Sequence, residues 1–351
     1  MKLSGLLAGG VSLLASALLV ACGSGGSNSA AAGGDDTLLS RQQAAPLVLY
    51  ANDFVDDLPI MFEAATGYRM EGVHFSGGPL LARIEAEQAN PQWDVVLVDG
   101  HGSIRNFGDR DFLRTDWQPE IFDNLSEFAR SQVPDDYAFF PIGIHAAGLI
   151  AYNKNLVSES EAPKTWEEFF AFDGPAGHAD PAVAAPGYPL VSAFFEKWGI
   201  DETKRIYEQR FRDGFSVYPR NPAVLEALLS GEIHVAALQE HNSYGAQMED
   251  EPVGVIWPDE GAPGSLRVVA INKRSRNLEA AKAFVEFLLR PETQNALVSL
   301  PGQDGFFTPM SRNTRIREER RQDGTFLLPP AAWSAEHEAD IKNWFADMAA
   351  R

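Results

Sequence analysis

Three short polar turns each follow an apolar segment, and their residue types suit the binding of an anion. The turns are Asn52-Asp53, Ser76-Gly77-Gly78 and Asp99-Gly100. Pro79 follows the second turn and suits the first turn of a helix, where its missing N–H group costs nothing. Small residues at a helix N-terminus leave backbone N–H groups and the positive end of the helix dipole open to an anion. The plainer alternatives are that Ser76 only caps the helix and that the two Asp residues only stabilise turns.

The segments around these turns predict alternating strands and helices. Apolar runs at 47–50, 68–75 and 95–98 predict strands, and amphipathic segments at 58–66 and 79–90 predict the helices between them. A fully apolar run such as 95–98 is typical of a buried parallel strand. Ligands of open α/β sheets bind beyond the carboxyl ends of the strands. We therefore expect the three turns to line one edge of a doubly wound α/β lobe.

Further candidate ligand residues lie in the second half of the chain. His145 lies within the apolar segment 143–153, and Tyr188 lies in a small-residue turn before a helix. Tyr188 could contact a ligand or anchor its loop, and a lone histidine is more often structural. Asn221 precedes Pro222 as a candidate helix N-cap, and simple capping is an adequate alternative role. Asn242 and Tyr244 follow a strand predicted at 232–238.

Length and charge narrow the classes of function. The chain has 351 residues, 45% of them hydrophobic, which suggests two domains and provides ample material for a core. The formal net charge of −20 argues against a nucleic acid partner, because phosphate backbones are bound by basic patches. The sequence also lacks G-x-S-x-G, G-x-x-x-x-G-K-[ST] and H-E-x-x-H patterns. We therefore expect no enzyme, no catalytic residue, no cofactor and no bound metal.

Cys22 is the only cysteine, and its position indicates an anchor. Lys2 and the apolar run 6–20 are typical of a signal peptide, here residues 1–21. Leu19-Val20-Ala21-Cys22 resembles the lipobox of bacterial lipoproteins, in which the cysteine is acylated and becomes the new N-terminus. Residues 22–45 are rich in Gly, Ser and Ala and predict a flexible lipidated tether. The alternative is an ordinary secretory signal with a buried cysteine.

Several motifs together resemble the type 2 extracellular solute-binding proteins of ABC importers, in their ferric-iron, phosphonate and sugar-phosphate branch. Besides the stretch 74–100, they are Pro163-Lys164-Thr165-Trp166, the pattern N-P-x₈-G-E from Asn221 to Glu232, and the pattern A-x-x-F-x-x-F-L-L-x-P-E-x-Q from Ala281 to Gln294. The order and spacing of these motifs over residues 46–310 are more specific for the family than any single motif.

The resemblance implies an α/β fold with two lobes, a hinge and a ligand cleft between them. It implies a first lobe from residues 46–145 and 260–310, a second lobe from 146–259 and a C-terminal helical segment over 311–351. His145 would lie where the chain crosses between lobes. The expected partners are a small-molecule ligand and the membrane subunits of an ABC importer, with the lipid anchor as the only attachment to the membrane. We expect a monomer in the periplasm or cell envelope.

The identity of the ligand stays open at this point. Ser76-Gly77-Gly78 and Asn221 would place a helix N-terminus in each lobe, which favours an anion-bearing organic molecule. Iron-binding relatives carry adjacent tyrosines near Tyr244, but Ser243 replaces one of them here, which makes ferric binding doubtful. The alternative is a carrier of a lipid or sterol. Its cleft would be lined by the aromatic residues Phe139, Phe140, Tyr188 and Tyr244.

Overall fold

A computed structural model describes residues 32–349 and the side chains of residues 38–348. The predicted signal peptide and Cys22 lie outside the described residues. By contacts, the chain divides into residues 1–40 and a large compact unit from Arg41 onward. That unit holds every strand named below.

The strands and helices alternate along most of the chain, as expected for an α/β protein. The strands are β1 (Leu47–Ala51), β2 (Met70–His74), β3 (Val95–Asp99), β4 (Phe140–Ala146), β5 (Leu149–Asn153), β6 (Ala176–Ala179), β7 (Ser216–Tyr218), β8 (Val235–Leu238), β9 (Val253–Ile256), β10 (Ala262–Ile271), β11 (Thr308–Pro309) and β12 (Phe326–Leu327). The α-helices are α1 (Ala32–Gln43), α2 (Asp57–Thr66), α3 (Gly77–Ala86), α4 (His101–Asp109), α5 (Glu127–Ser131), α6 (Trp166–Ala171), α7 (Gly187–Trp198), α8 (Ile200–Arg212), α9 (Asn221–Ser230), α10 (Glu240–Met248), α11 (Leu278–Leu288), α12 (Pro291–Val298) and α13 (Ala331–Ala349).

The first lobe is built on a seven-stranded sheet with the order β11-β4-β10-β3-β1-β2, and β12 pairs with β10. Strand β1 pairs in parallel with β2 and β3, while β10 runs antiparallel to β3 and β4. Every residue of β3 is buried, because helices cover both faces of the sheet. The parallel pairing puts the carboxyl ends of β1, β2 and β3 at the same edge of the sheet, as the sequence predicts.

The second lobe is built on a five-stranded sheet with the order β7-β6-β8-β5-β9. Strand β6 pairs in parallel with β7 and β8, so the carboxyl ends of these three strands also share an edge. An aromatic cluster covers this sheet, in which Trp166 and Phe169 of α6 pack against Phe194 of α7 and Phe215. Thr165 caps α6, because its hydroxyl accepts a hydrogen bond from the N–H of Glu168 at 3.1 Å.

The chain passes from the first sheet to the second between β4 and β5, through Ala147 and Gly148, and returns through residues 257–261 between β9 and β10. An ion pair that is buried on both sides, Glu240–Arg320, lies beside the first passage. The N–H of Ala146 donates a hydrogen bond to Oε2 of Glu240 at 2.7 Å. Since Glu240 begins α10 of the second lobe, this bond ties the end of β4 to the opposite lobe.

The two ends of the chain differ from the sequence prediction. Residues 32–43 form helix α1 where a flexible tether is predicted, because Leu38, Leu39, Arg41 and the following Gln residues are good helix formers. In the predicted C-terminal helical segment, helix begins only at Ala331. Pro329 and Pro330 favour an extended backbone before that point. No helix within residues 32–349 combines the length and the apolar character needed to cross a membrane.

Candidate functional site

The carboxyl ends of β1 and β3 bring three of the sequence-predicted residues together around a buried arginine. Arg267 of β10 is fully buried, forms an ion pair with Asp53 and places Nε 3.2 Å from Oδ1 of Asp99. The Asn52 side chain donates to Oδ2 of Asp99 at 3.1 Å and accepts the Asp99 N–H at 3.2 Å. One cation therefore holds two carboxylates at the edge of the first lobe.

Two histidines extend this arrangement across to the second lobe. His145 of β4 places Nε2 3.2 Å from Oδ2 of Asp99, and its ring centroid lies 4.5 Å from that of His241 on α10. His241 is only 5% exposed, and its buried Nε2 has no hydrogen-bond partner among the described residues. We call Asp53, Asp99, His145, His241 and Arg267 the buried charge cluster.

Burial and mutual charge set the protonation of this cluster. Burial raises the pKa of Asp53 to about 7, and the positive charge of Arg267 only partly offsets it. Burial acts in the same direction on Asp99, but Arg267 and His145 outweigh it and hold the pKa of Asp99 well below its usual range. Burial lowers the pKa of His241 well below its usual value, and the neighbouring His145 adds to this effect. The cluster is a compact polar junction in which Asp99 is the stable anion.

The second lobe contributes a polar edge that faces the cluster. Arg220, not the predicted Asn221, occupies the N-cap position of α9, and Asn221 is the first helical residue. The Asn221 side chain instead accepts a hydrogen bond from the N–H of Gln239 at 3.3 Å, a tertiary contact that directs it away from the helix start. The Gln239 side chain lies 3.2 Å from Nδ1 of His241. Arg220 is exposed, and no carboxylate of residues 38–348 forms an ion pair with it.

The Ser76-Gly77-Gly78 turn lies at the start of α3 as predicted, but one of its N–H groups is already engaged. Ser76 holds the N-cap position without a side-chain hydrogen bond to the helix. The N–H of Gly78 donates to the carbonyl of Val183, in the second lobe, at 3.1 Å. The N–H of Gly78 is therefore not available to donate a hydrogen bond to an anion.

Two of the three remaining candidate residues, Tyr188 and Tyr244, have structural contacts. Tyr188 is buried in the first turn of α7, not in a turn before that helix as predicted. Its hydroxyl donates to the carbonyl of Ser334 in α13 at 2.5 Å, which anchors α7 to the C-terminal helix. Tyr244 stacks on Phe306 with a centroid distance of 5.3 Å, and its hydroxyl accepts the N–H of Arg321 at 3.2 Å. Asn242 is half-buried on α10.

Sequence reasoning did not identify Arg267, Gln239 or the contact of His241 with His145. Arg267 could have been noticed, because a cation inside the apolar run 266–271 requires a buried anionic partner. Glu240 and His241 stand next to the predicted tyrosine position but have no distinctive spacing. Within residues 38–348, no cluster of three or more His, Cys, Asp or Glu side chains is suited to hold a metal ion.

Comparison with known proteins places the chain among binding proteins. A family model described as "Bacterial extracellular solute-binding protein" matches residues 61–312. The chain is 28% identical over 230 residues to an uncharacterized protein of Haemophilus influenzae, which is 62% of this chain but only 64% of that relative. It is 26% identical over 249 residues to a putative 2-aminoethylphosphonate-binding periplasmic protein of Salmonella typhi, which is 68% of this chain and 70% of the relative.

Solved structures show the same fold. The periplasmic binding protein AfuA of Actinobacillus pleuropneumoniae, with fructose-6-phosphate bound, superposes with a TM-score of 0.75 at 19% identity, over 87% of this chain and 99% of AfuA. Iron-bound HitA of Pseudomonas aeruginosa gives a TM-score of 0.75 at 18% identity, over 87% of this chain and 99% of HitA. The two-sheet architecture is that of the two-lobed periplasmic binding proteins.

Proposed function

The chain belongs to the bacterial extracellular solute-binding protein family, and from this premise we propose that it captures a small solute between its lobes and delivers it to an ABC importer. The observation that carries the proposal is the meeting of two polar strand edges. Asn52 and Asp53 follow β1, while Arg220 and Gln239 follow β7 and β8. Ligands of α/β sheets bind at such edges, and rotation about the two passages between the sheets would enclose the solute.

We propose an organic ligand that bears an anionic group, such as a phosphonate or a phosphorylated metabolite. Two relatives carry names or ligands of this class. In this chain the support is Arg220 at the start of α9, a cation without an ion-pair partner among residues 38–348, together with the positive dipole ends of α9 and α10. The N-terminus of α10 also supplies backbone N–H groups. Because the N–H of Gly78 is engaged by Val183, we assign the anion to the second lobe rather than to the Ser76-Gly77-Gly78 turn.

The lipid-carrier alternative has little support from the aromatic residues it requires. Phe139 and Phe140 are buried in the core of the first lobe. Tyr188 and Tyr244 use their hydroxyls in bonds to Ser334 and Arg321. The facing strand edges carry amide, carboxylate, imidazole and guanidinium groups, which favour a polar solute over an acyl chain or a sterol.

Ferric binding is the alternative favoured by the likeness to HitA. Ser243 is fully buried, and its hydroxyl donates to the backbone carbonyls of Leu238 and Gln239 at 3.1 and 3.0 Å. Tyr244 is packed under Phe306. We therefore predict weak or no ferric binding. A coloured ferric complex with a phenolate charge-transfer band would contradict this and make Tyr244 a ligand.

A thermal-shift panel of matched pairs tests the ligand class. The pairs are 2-aminoethylphosphonate with ethanolamine, and fructose 6-phosphate with fructose, beside ferric citrate and palmitate. We expect at least one phosphorus oxyanion to raise the melting temperature while its partner without the oxyanion does not. A shift with palmitate alone would establish the carrier, and a shift with ferric citrate alone would establish the iron protein. Arg220→Gln should reduce the oxyanion response, with exposed Arg205→Gln as its control.

We also propose that Cys22 carries the lipid that holds the protein on the cell envelope. Acyl chains provide membrane affinity in proportion to their buried methylene groups. In fractionated cells, Cys22→Ala should move the protein from the membrane to the soluble fraction. If the processed Cys22→Ala protein remains with membranes, the lipoprotein assignment is wrong.

A further inference from the structure

The turn between β2 and α3 touches the second lobe through backbone atoms. The N–H of Gly78 donates to the carbonyl of Val183 at 3.1 Å. Asp180 holds the opposing segment in place, because Oδ1 accepts the N–H of Ala182 at 2.7 Å and its carbonyl accepts the N–H of Ala184 at 3.0 Å. We call Gly77 and Gly78 with residues 182–185 the glycine contact.

The glycine contact has no room for a side chain on the first lobe. A Cβ atom on Gly77 would lie 2.3 Å from Cα of Ala185 and 2.6 Å from its backbone nitrogen. A Cβ atom on Gly78 would lie 2.4 Å from the carbonyl oxygen of Ala182. These are backbone atoms, so they cannot rotate away as the end of a flexible side chain could. A methyl group at either position requires the backbone of the opposing segment to move away from the turn.

The backbone conformation of the turn does not itself require glycine. The positive-φ glycines are at other positions, and Gly77 and Gly78 begin an ordinary α-helix. Alanine is more favourable than glycine inside a helix. Alanine at these positions is therefore compatible with the first lobe alone and incompatible only with its approach to the second.

The contact is also placed where rotation of the lobes displaces it strongly. Strand β2 is the edge strand of the first sheet, three strands beyond β10, which leads the chain back from the second lobe. At about 4.8 Å per strand, the turn lies roughly 14 Å from β10. A rotation about the passages between the sheets would separate Gly78 from Val183 before it disturbed the crossing strands themselves.

We propose that Gly77 and Gly78 are positioning residues for lobe closure: they let the lobes meet at the cleft edge, and the Gly78–Val183 hydrogen bond fastens them there. This inference rests on the proposed solute-binding function. It assigns the two glycines to the closed conformation rather than to the ligand. Substitutions there lower affinity by reducing the fraction of molecules able to close.

Amide hydrogen exchange of the full chain tests the contact without any ligand, and therefore independently of the proposed function. We expect Gly77→Ala to raise exchange at Gly78 and across 182–185 by about tenfold or more, with the core strands β1 and β3 unchanged. Ala185→Val, which adds bulk from the opposite side, should act alike and serves if Gly77→Ala folds poorly. Ser76→Ala is the matched control, because Ser76 is exposed and makes no side-chain bond to the helix.

Small-angle scattering and calorimetry complete the test. Gly77→Ala and Ala185→Val should enlarge the radius of gyration relative to Ser76→Ala, and should weaken by about tenfold whichever of 2-aminoethylphosphonate or fructose 6-phosphate binds the wild type. If neither probe binds, exchange and scattering still decide the inference, and only the proposed ligand class fails. Wild-type exchange and wild-type dimensions in both variants would overturn it.

Discussion

Two of the regions where the lobes meet have opposite chemistry. The buried charge cluster joins them next to the crossing strand β4 through one arginine, two carboxylates and two imidazoles. The glycine contact joins them at the far edge of the first sheet through one backbone hydrogen bond and no side chain. Both regions contain a polar turn that follows a strand, and the sequence alone predicts a ligand-binding loop at each of them.

The comparison teaches that a turn's position in the sheet matters more than its composition. Near the crossing strands, distances between the lobes change little when the lobes rotate. Ion pairs can therefore stay intact there in every conformation. At the sheet edge the distances change most. A contact that forms and breaks there without charges avoids the cost of removing charged groups from water at every closure. Charge therefore stabilises the first region, and small residues permit movement at the second.

The largest expected effect is on Arg267. Replacing it by Met leaves Asp53 and Asp99 buried without their cation, and we expect a loss of about 3–5 kcal/mol in the free energy of unfolding. Denaturant unfolding measures this, with Arg205→Met as control, because Arg205 is an exposed partner of Glu202 and should cost under about 1 kcal/mol. Equal losses in the two variants would mean that the cluster does not stabilise the fold.

The next effect is a change in how the free energy of unfolding depends on pH, and it is expected at Asp53. Its pKa of about 7 in the folded protein lies above the ordinary value near 4, so the folded state holds this proton more tightly than the unfolded state. Its contribution to stability is therefore complete at low pH and falls as the pH rises from about 4 to 7, by at most about 4 kcal/mol.

Asp53→Asn should remove that fall. The free energy of unfolding of the variant should therefore increase relative to that of the wild type as the pH rises from about 4 to 7. Unfolding titrations at pH 4, 5.5 and 7 measure the difference. Asp116→Asn is the control, because Asp116 is exposed and pairs with Arg114 rather than with the cluster. An identical pH profile for Asp53→Asn and the wild type would place the titrating group elsewhere.

The smallest effect is expected at Tyr188, the second residue of α7, close in sequence to the glycine contact. Tyr188→Phe loses the hydrogen bond to Ser334 and should cost about 1 kcal/mol of stability. Affinity for the bound solute should not change, because the hydroxyl is directed at α13. A tenfold weaker Kd in calorimetry with unchanged stability would instead make Tyr188 a ligand residue.

Much of the first lobe follows from the sequence because its signals are local. The apolar run at 95–98, Gly67 as helix end and Pro79 in a first turn each depend on near neighbours, and β3, α2 and α3 form there. The shared edge of Asn52, Asp53 and Asp99 follows from the rule on strand ends, whereas the contact of His145 with Asp99 is not predicted by the sequence.

The partners of those residues could not be predicted in the same way. Arg267 is 168 residues from Asp99 in the chain, and only strand order β10-β3 brings them together. The closeness of Gly77 to Ala185 depends on the angle between lobes, which leaves no local pattern. Asn221 satisfies every sequence rule for an N-cap, but tertiary contact with Gln239 directs its side chain elsewhere.

A crystal structure of the full chain with a bound solute from the phosphorus oxyanion panel tests the central claim most directly. The account predicts density between the lobes, with the anionic group near Arg220 and the N-terminus of α10 and the rest beside Asn52 and His241. Density only in the groove of about 800 Å³ on the outer face of the second lobe, lined by Phe172, Trp198 and Arg210, would contradict it.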